Sequence, residues 1–224
     1  GLPAPSEPKA SPPSIAEQLL NLSGEPFTVV ELNDTSRQQV DAALHLACPH
    51  AIVAIHPYDP TDATAGRIPW RELAASLPDD GCLIMGSDGP TALGDTGRAT
   101  LLSFGRNASC DVSPTHVLCM GGQLRFVIDG QAATLNAAGR HFLDNSLAAW
   151  CVGKALGIEQ QTIAARLARA TIPARRCEVH RTNDVVLIDD TAGTCMVSAR
   201  AGLALLNSME AKRRVVVCGS KFHA

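Results

Sequence analysis

The residues best suited to chemistry in this sequence lie in two segments about forty residues apart. The first begins at Gly139 and continues into an apolar helical pattern that carries His141 and Asn145 near its start. The second is an apolar strand pattern that ends on the carboxylates of Asp189 and Asp190. Imidazole and amide groups can donate and accept hydrogen bonds at a base edge, and a carboxylate accepts them from hydroxyl groups. Together the two segments predict a site that could bind a nucleotide.

The elements that would position these residues follow the pattern of an α/β protein. In the first half, continuous apolar runs alternate with helical patterns, which predicts a mostly parallel central sheet flanked by helices. Farther on, three short strand patterns are separated by Gly121-Gly122 and Asp129-Gly130, which are hairpin signals and predict a small antiparallel β patch. Further strands are predicted over 27–32, where Glu31 lies near the end, and over 214–218.

The domain organisation is predicted from composition and from turn residues. Residues 1–13 are rich in Pro, Ser and Ala and are expected to form a flexible lead-in. A boundary near Pro173 then separates a main part, 14–172, from a linker and the beginning of a further domain, 173–224. The last fifty or so residues are too few for an independent α/β domain, so the sequence is expected to be cut short at this end.

The composition excludes several functional classes. With 46% hydrophobic residues the chain can form a sizeable core, and its net charge of -3 argues against a nucleic-acid surface. The sequence offers neither a membrane-spanning apolar run nor a secretory leader, so a cytoplasmic protein without membrane insertion is expected. The eight cysteines form no C-x-x-C pair, and they are interpreted as small buried hydrophobes in a reducing compartment rather than as a zinc site or disulfide set.

The order of these motifs resembles the Mur ligase superfamily over about residues 14 to 220. The segment from Gly139 to Asn145 is similar to that family's G-x-H/F-N-x-x-N, and Pro173-Ala174-Arg175-Arg176-Cys177-Glu178 is similar to its P-G-R-x-E linker. The segment that begins at Asp190 resembles D-Y-A-H-T-P-D of the diaminopimelate- or lysine-adding ligases. Asp189-Asp190 also suits D-D-x-Y-N-A-N-P of the D-alanyl-D-alanine-adding ligase.

The resemblance implies a set of nucleotide-binding residues. Asn145 would lie near adenine, beside His141, which could equally be a hydrogen-bonding residue of the helix start. Arg175 or Arg176 would approach the phosphates, because a guanidinium binds phosphate oxygens bidentately; the alternative is an exposed linker charge. Asp190 would contact the ribose. The cofactors implied are ATP and Mg²⁺, not tightly bound by this chain.

The resemblance also implies metal ligands. Glu31 corresponds to a strand-end glutamate that binds magnesium, and a carboxylate at the carboxyl end of a parallel strand faces the ligand crevice. A solvated acid is the alternative for Glu31. His56 corresponds either to a magnesium-binding histidine or to part of a Thr-Asn pair, and it could also be an ordinary loop residue before Pro57.

The sequence departs from the family pattern at several positions. It contains no G-x-x-G-K-[ST] phosphate loop. Trp70 takes the place of the lysine that is carbamylated in the family, and Phe142 replaces the first asparagine of the adenine segment. No catalytic residue is therefore assigned, and either a fragment of a longer ligase or a divergent, inactive relative would explain the departures.

Three functions remain open. The first is an ATP-dependent amide ligase that adds an amino acid or peptide to a UDP-sugar peptide precursor in peptidoglycan synthesis, here fragmentary or degenerate. The second is a non-catalytic binding or scaffold module on the same fold. The third is a folylpolyglutamate synthase-like ligase, which the strand end at Asp189-Asp190 fits loosely.

Overall fold

The computed structural model describes residues 28–32, 37–55, 70–86, 98–120, 122–182, 184–192 and 196–219. The chain divides into two compact units. Among the described residues, the first unit takes in 28–52, 70–83 and 98–100, and the second takes in 53–55, 84–86 and those of 101–219. The predicted nucleotide-binding residues, from His141 to Asp190, all lie in the second unit.

A three-stranded sheet comes from the first half of the chain, in the order β1-β2-β3. The amide of Cys82 donates to the carbonyl of His50 (2.8 Å), and that of Thr100 donates to the carbonyl of Gly81 (2.8 Å). The beginnings of neighbouring strands are therefore bonded to each other, which makes the sheet parallel, as predicted. The strands and the helices that alternate with them are α1 (Arg37–Ala47), β1 (Ala51–Ala54), α2 (Trp70–Ala75), β2 (Cys82–Gly86) and β3 (Thr100–Phe104).

The predicted antiparallel patch is a second sheet, in the order β4-β5-β6. Its strands are β4 (Thr115–Met120), β5 (Gln123–Ile128) and β6 (Gln131–Leu135). Asp129 and Gly130 connect β5 to β6, both with positive φ (49° and 81°), which is the backbone that an Asp-Gly hairpin turn requires. Leu124, Phe126 and Ile128 alternate along β5 and are buried on one face of the sheet.

Two helices pack beside this sheet. They are α3 (Phe142–Ala155) and α4 (Gln160–Arg169); α4 packs on β6, and α3 packs on α4. Helix α3 contributes Leu143, Leu147 and Trp150 to the core, each fully buried. A side chain at Gly153 would lie 2.6 Å from Cδ1 of Ile163, so the absence of a Cβ on α3 permits the close approach of α4.

The chain continues with the hairpin β7 (Glu178–Arg181) and β8 (Val186–Asp189), and then with α5 (Met196–Ser208).

Two strand predictions are wrong: the described residues 28–32 and 213–219 have no strand structure. Val29 and Val217 are 87% and 92% exposed. Apolar β-branched residues favour a strand only where a neighbouring strand binds their backbone, and neither segment belongs to a sheet of the described residues. No helix in the described ranges is long and apolar enough to cross a membrane.

Candidate functional site

The start of α3 is organised around the ring of His141. The ring lies against Gly139, where a Cβ would be only 2.2 Å from Cε1, and it contacts the ring of Phe142 with a centroid distance of 4.1 Å. Burial lowers the pKa of His141 below its ordinary value, and the negative charges of Asp190 and Asp144 oppose that shift. The imidazole is therefore a half-buried, neutral group near pH 7, held between a glycine and an aromatic ring.

Phe142 and Asn145, the other two positions of the motif that begins at Gly139, have different surroundings. Phe142 is 6% exposed and packs as a core residue, so it presents no hydrogen-bonding group to a ligand. Asn145 lies one turn along α3 and is exposed. The structure therefore places His141 directly before α3, where it is half-buried, and Asn145 in the first turn of the helix, where it is open to solvent.

The linker (residues 170–177, between α4 and β7) has a constrained backbone. Arg175 and Cys177 have positive φ angles of 62° and 50°, in the left-handed region that side chains other than glycine disfavour by roughly 1 kcal/mol per residue. The amide of Arg175 donates to Oε2 of Glu178 (2.9 Å), and its carbonyl accepts from the amide of Ala192 (3.0 Å). These hydrogen bonds offset part of the strain and hold the linker in one conformation.

Asp190 adds another bond to the linker. Its Oδ1 accepts from the amide of Cys177 (3.1 Å), and a Cβ on Gly202 of α5 would lie 2.9 Å from its Oδ2. Burial raises the pKa of the Cys177 thiol to about 12, with further contributions from the charge of Asp190 and a side-chain hydrogen bond to it. Asp190, expected to contact a ribose, thus already binds the linker backbone.

The carboxylate of Asp189, next to Asp190 in the sequence, makes a different set of hydrogen bonds. Oδ1 of Asp189 accepts from the amide (3.0 Å) and the hydroxyl (2.7 Å) of Thr191, which closes a turn directly after β8. Burial raises the pKa of Asp189, but the bonds from Thr191 and the charges of Arg175 and His180 outweigh it, and the net pKa is lowered. The two adjacent acids therefore stabilise different turns, Asp189 its own and Asp190 that of the linker.

A cleft of about 480 Å³ brings separate parts of the second unit together. Its walls come from the turn between β4 and β5, the residues after β6, the first residue of α3, the end of α4, the linker and the start of β7: Gly122, 136–138, Phe142, 168–174 and 176–179. Alanine, isoleucine and proline side chains make somewhat more than half of the surface apolar, while Arg169 and Arg176 add two positive charges and Glu178 adds one negative charge. Such a cleft fits a ligand with an apolar, flat body and an anionic group.

The structure distinguishes the two linker arginines. Arg176 lines the cleft, whereas Arg175 is not among the lining residues. Counting forward from Pro173 along P-G-R-x-E places Arg175 at the arginine, whereas counting back from Glu178 places Arg176 there. The positive φ of Arg175 is the conformation that glycine adopts most readily, which favours the second alignment. Of the two candidates left open by the sequence, Arg176 is the one that lines the cleft.

The candidate metal ligands are not assembled among the described residues. Glu31 is exposed and lies in a segment without strand structure, so it is not a strand-end carboxylate. His56 lies outside the described residues. Trp70, which takes the place of the family's carbamylated lysine, is the first residue of helix α2. In the part of the chain that the structure describes, no group of three His, Cys, Asp or Glu residues could hold a metal ion.

The motifs in the sequence did not indicate three residues of this region, Asn136, Arg169 and Cys177. Asn136 lies in the wall of the cleft, where its Nδ2 donates to the carbonyl of Ala168 (3.0 Å) and its Oδ1 accepts from Gln123 (3.0 Å). Arg169 ends α4 at the rim, and Cys177 donates its amide to Asp190. A basic residue at a helix end was a readable signal for Arg169, but nothing in the local sequence indicates the tertiary roles of Asn136 or Cys177.

No family model matches the chain. It is 33% identical over 94 residues to a UDP-N-acetylmuramoyl-tripeptide–D-alanyl-D-alanine ligase of Synechocystis, which covers 42% of this chain and 21% of the relative. It is 30% identical over 132 residues to a UDP-N-acetylmuramate–L-alanine ligase of Dinoroseobacter shibae, which covers 54% of this chain and 28% of the relative. The chain thus spans less than a third of the length of these curated relatives.

Solved structures show a similar fold. The D-alanyl-D-alanyl ligase of Acinetobacter baumannii matches 79% of this chain and 41% of its own, with a TM-score of 0.67 and 20% identity. A MurF ligase of Thermotoga maritima, solved in complex with ADP, matches 80% of this chain and 44% of its own, with a TM-score of 0.62 and 17% identity. At these identities the structural match concerns the fold, and it confirms the predicted combination of a parallel sheet, an antiparallel patch and flanking helices.

Proposed function

We infer that this chain is a member of the Mur ligase superfamily, and on that premise we propose that its cleft binds the nucleotide of an ATP-dependent amide ligase. The observation that carries the proposal is the convergence of two motifs on one cavity. Phe142, from the motif at the start of α3, and Arg176, from the linker motif, are distant in sequence and line the same cleft of about 480 Å³. His141, Asn145 and Asp190 are not among the lining residues, so the support comes from the apolar contact that Phe142 offers and the positive charge that Arg176 adds.

The chemistry of the cleft fits a nucleotide in part. Its apolar walls would contact the base, and the guanidinium groups of Arg176 and Arg169 would bind anionic oxygens. When bound, ATP would supply the phosphoryl group that activates a carboxylate for attack by an amine. The chain's own residues would contribute binding and orientation: His141 supports the first turn of α3 as a neutral group, and Asp190 holds the linker beside Arg176.

Affinity is expected to be low. The phosphate loop, whose backbone amides and lysine bind the β- and γ-phosphates, does not occur in this sequence. Phe142 replaces an amide that could read the base edge, so the base would be held by apolar contact. We expect a Kd for ADP on the order of 0.1 mM, since most phosphate contacts would be missing.

The proposed reaction class and partners follow from the relatives. The UDP-sugar peptide precursor of peptidoglycan would be the carboxylate substrate, and an amino acid or peptide would be the amine. We also propose a boundary near Pro173, which lies within the linker that forms one wall of the cleft. Residues 14–172 would then form the central-domain part, and 173–224 the linker and the beginning of the next domain.

Titration of the isotopically labelled chain with ADP, followed by NMR, tests nucleotide binding. The expected result is saturable shifts of residues 136–138 and 170–179, and a Kd raised roughly tenfold in Arg176→Gln, since a charged hydrogen bond is lost. Arg166→Gln is the matched control, because Arg166 is an exposed arginine of α4 outside the cleft lining. An absence of shifts at millimolar ADP, or equal losses in both variants, would contradict the proposal.

A non-catalytic module is the second candidate, and the burial of Phe142 favours it. A buried phenylalanine replaces a residue type that could bond to a base, and Trp70 begins α2 where a carbamylated lysine would be needed. Assay of phosphate release from MgATP, with the UDP-sugar peptide and amino acids present, separates the candidates. Turnover above the uncatalysed rate supports a ligase, whereas nucleotide binding without turnover supports the module.

A further inference from the structure

Asp190 occupies a central place in the second unit. It lies directly after β8, its Oδ1 accepts from the amide of Cys177 in the linker, and its Oδ2 faces Gly202 of α5. Electrostatic interaction also couples it to His141 at the start of α3. One carboxylate therefore contacts or influences three elements of the second unit, and its hydrogen bond is made to protein backbone.

The bond to Cys177 acts on the part of the linker that carries Arg176. Arg176 lies between two residues in the left-handed conformation, Arg175 and Cys177, and each of these is tied by a bond from the residues after the linker. With both neighbours fixed, the direction in which the Arg176 side chain leaves the backbone is fixed as well. That direction places Arg176 in the wall of the cleft.

We propose that Asp190 is a positioning residue, whose carboxylate holds the linker at Cys177 so that Arg176 is presented to the anionic part of the ligand. The proposal rests on the proposed nucleotide binding and assigns Asp190 a role through the linker. It differs from the direct contact with a ribose that the family resemblance implies. The two roles make different predictions, since Arg176 would bind only the phosphates, whereas a ribose contact would serve any nucleoside.

The experiment compares ADP with adenosine on the full chain. In Asp190→Ala, the Kd for ADP is expected to rise roughly tenfold, because Arg176 is no longer held in place, while the Kd for adenosine stays within about twofold. Asp190→Asn is expected to restore most of the ADP affinity, since its amide oxygen can still accept from Cys177. Asp184→Ala is the matched control, an exposed aspartate in the β7–β8 turn.

A double-mutant cycle with Arg176→Gln tests the route of the effect. If Asp190 acts through Arg176, Asp190→Ala adds little to the loss already caused by Arg176→Gln. Amide hydrogen exchange supplies a readout without ligand: exchange at Cys177 should accelerate in Asp190→Ala and remain slow in Asp190→Asn. If circular dichroism shows that Asp190→Ala does not fold, Asp190→Ser takes its place, because the serine side chain is too short for its hydroxyl to reach the linker.

The outcomes separate the two levels of the hypothesis. If the unmodified chain binds neither ADP nor adenosine, the proposed function fails and this proposal with it. If it binds ADP but Asp190→Ala binds equally well, only the positioning role is overturned. An equal loss of ADP and adenosine affinity overturns it in favour of direct contact with the sugar.

Discussion

The imidazole of His141 occupies the space directly beside the α-carbon of Gly139, two residues earlier. A Cβ at Gly139 would be 2.2 Å from Cε1 and 2.5 Å from Nδ1 of that ring, distances at which atoms cannot coexist. The same ring contacts Phe142. The glycine that begins the motif is therefore required by the histidine that follows it, which gives the G-x-H spacing a packing reason.

Gly139→Ala is expected to displace the His141 ring and to lower the free energy of unfolding by roughly 1–3 kcal/mol, the usual range for overpacking. Urea denaturation measures the loss. The double variant Gly139→Ala/His141→Ala is the control: without the ring there is no clash, so it should be no less stable than His141→Ala alone. A Gly139→Ala protein as stable as the unmodified chain would argue against the contact.

The stability of the chain should depend on the protonation of His141. Its pKa is lowered in the folded state from an ordinary 6.5, so between these two values the unfolded chain binds more protons than the folded one. Stability therefore rises with pH through this window and is lost as the pH falls below about 6.5. Urea denaturation between pH 5 and 8 should show this slope in the unmodified chain and a smaller one in His141→Gln. Equal slopes would contradict the assignment.

Gly153→Ala is expected to destabilise the protein by roughly 1–3 kcal/mol, although alanine favours an isolated helix over glycine. The new Cβ would lie 2.6 Å and 2.8 Å from Cδ1 and Cγ1 of Ile163, where α3 meets α4. Thermal denaturation measures the change. In an Ile163→Ala background those atoms are absent, so the same substitution should be neutral or stabilising. Stabilisation by Gly153→Ala alone would show that the helices can separate without loss.

Cys177 is expected to resist alkylation in the folded protein. Its thiol is buried and its pKa is raised to about 12, so the reactive thiolate is scarce at pH 8. Mass spectrometry after brief iodoacetamide treatment should find Cys48 and Cys218, which are exposed, modified first. Cys177 should be modified only in urea. The same shift means that stability declines as the pH rises from 9 toward 12, where the unfolded thiol ionises and the folded one does not.

The local sequence was sufficient to predict an element where that element is determined by its own periodicity or turn residues. The boundaries of β3 (Thr100–Phe104) and β4 (Thr115–Met120) agree with the apolar runs, and Asp129-Gly130 forms the expected hairpin turn. The predicted strand over 214–218 failed, since its apolar residues have no sheet to join among the described residues. A strand requires a partner, and partners are supplied by tertiary structure.

The sequence by itself determined the α/β class, the order of most elements and the motifs that contribute Phe142 and Arg176 to the cleft, because periodicity, turn chemistry and motif spacing are local properties. Only the tertiary structure decided that Arg176 rather than Arg175 faces the cleft and that Asp190 binds the backbone of Cys177. Those relationships join residues that are distant in sequence or that differ only in backbone conformation. They depend on the packing of β8, α5 and the linker against one another, which no local pattern encodes.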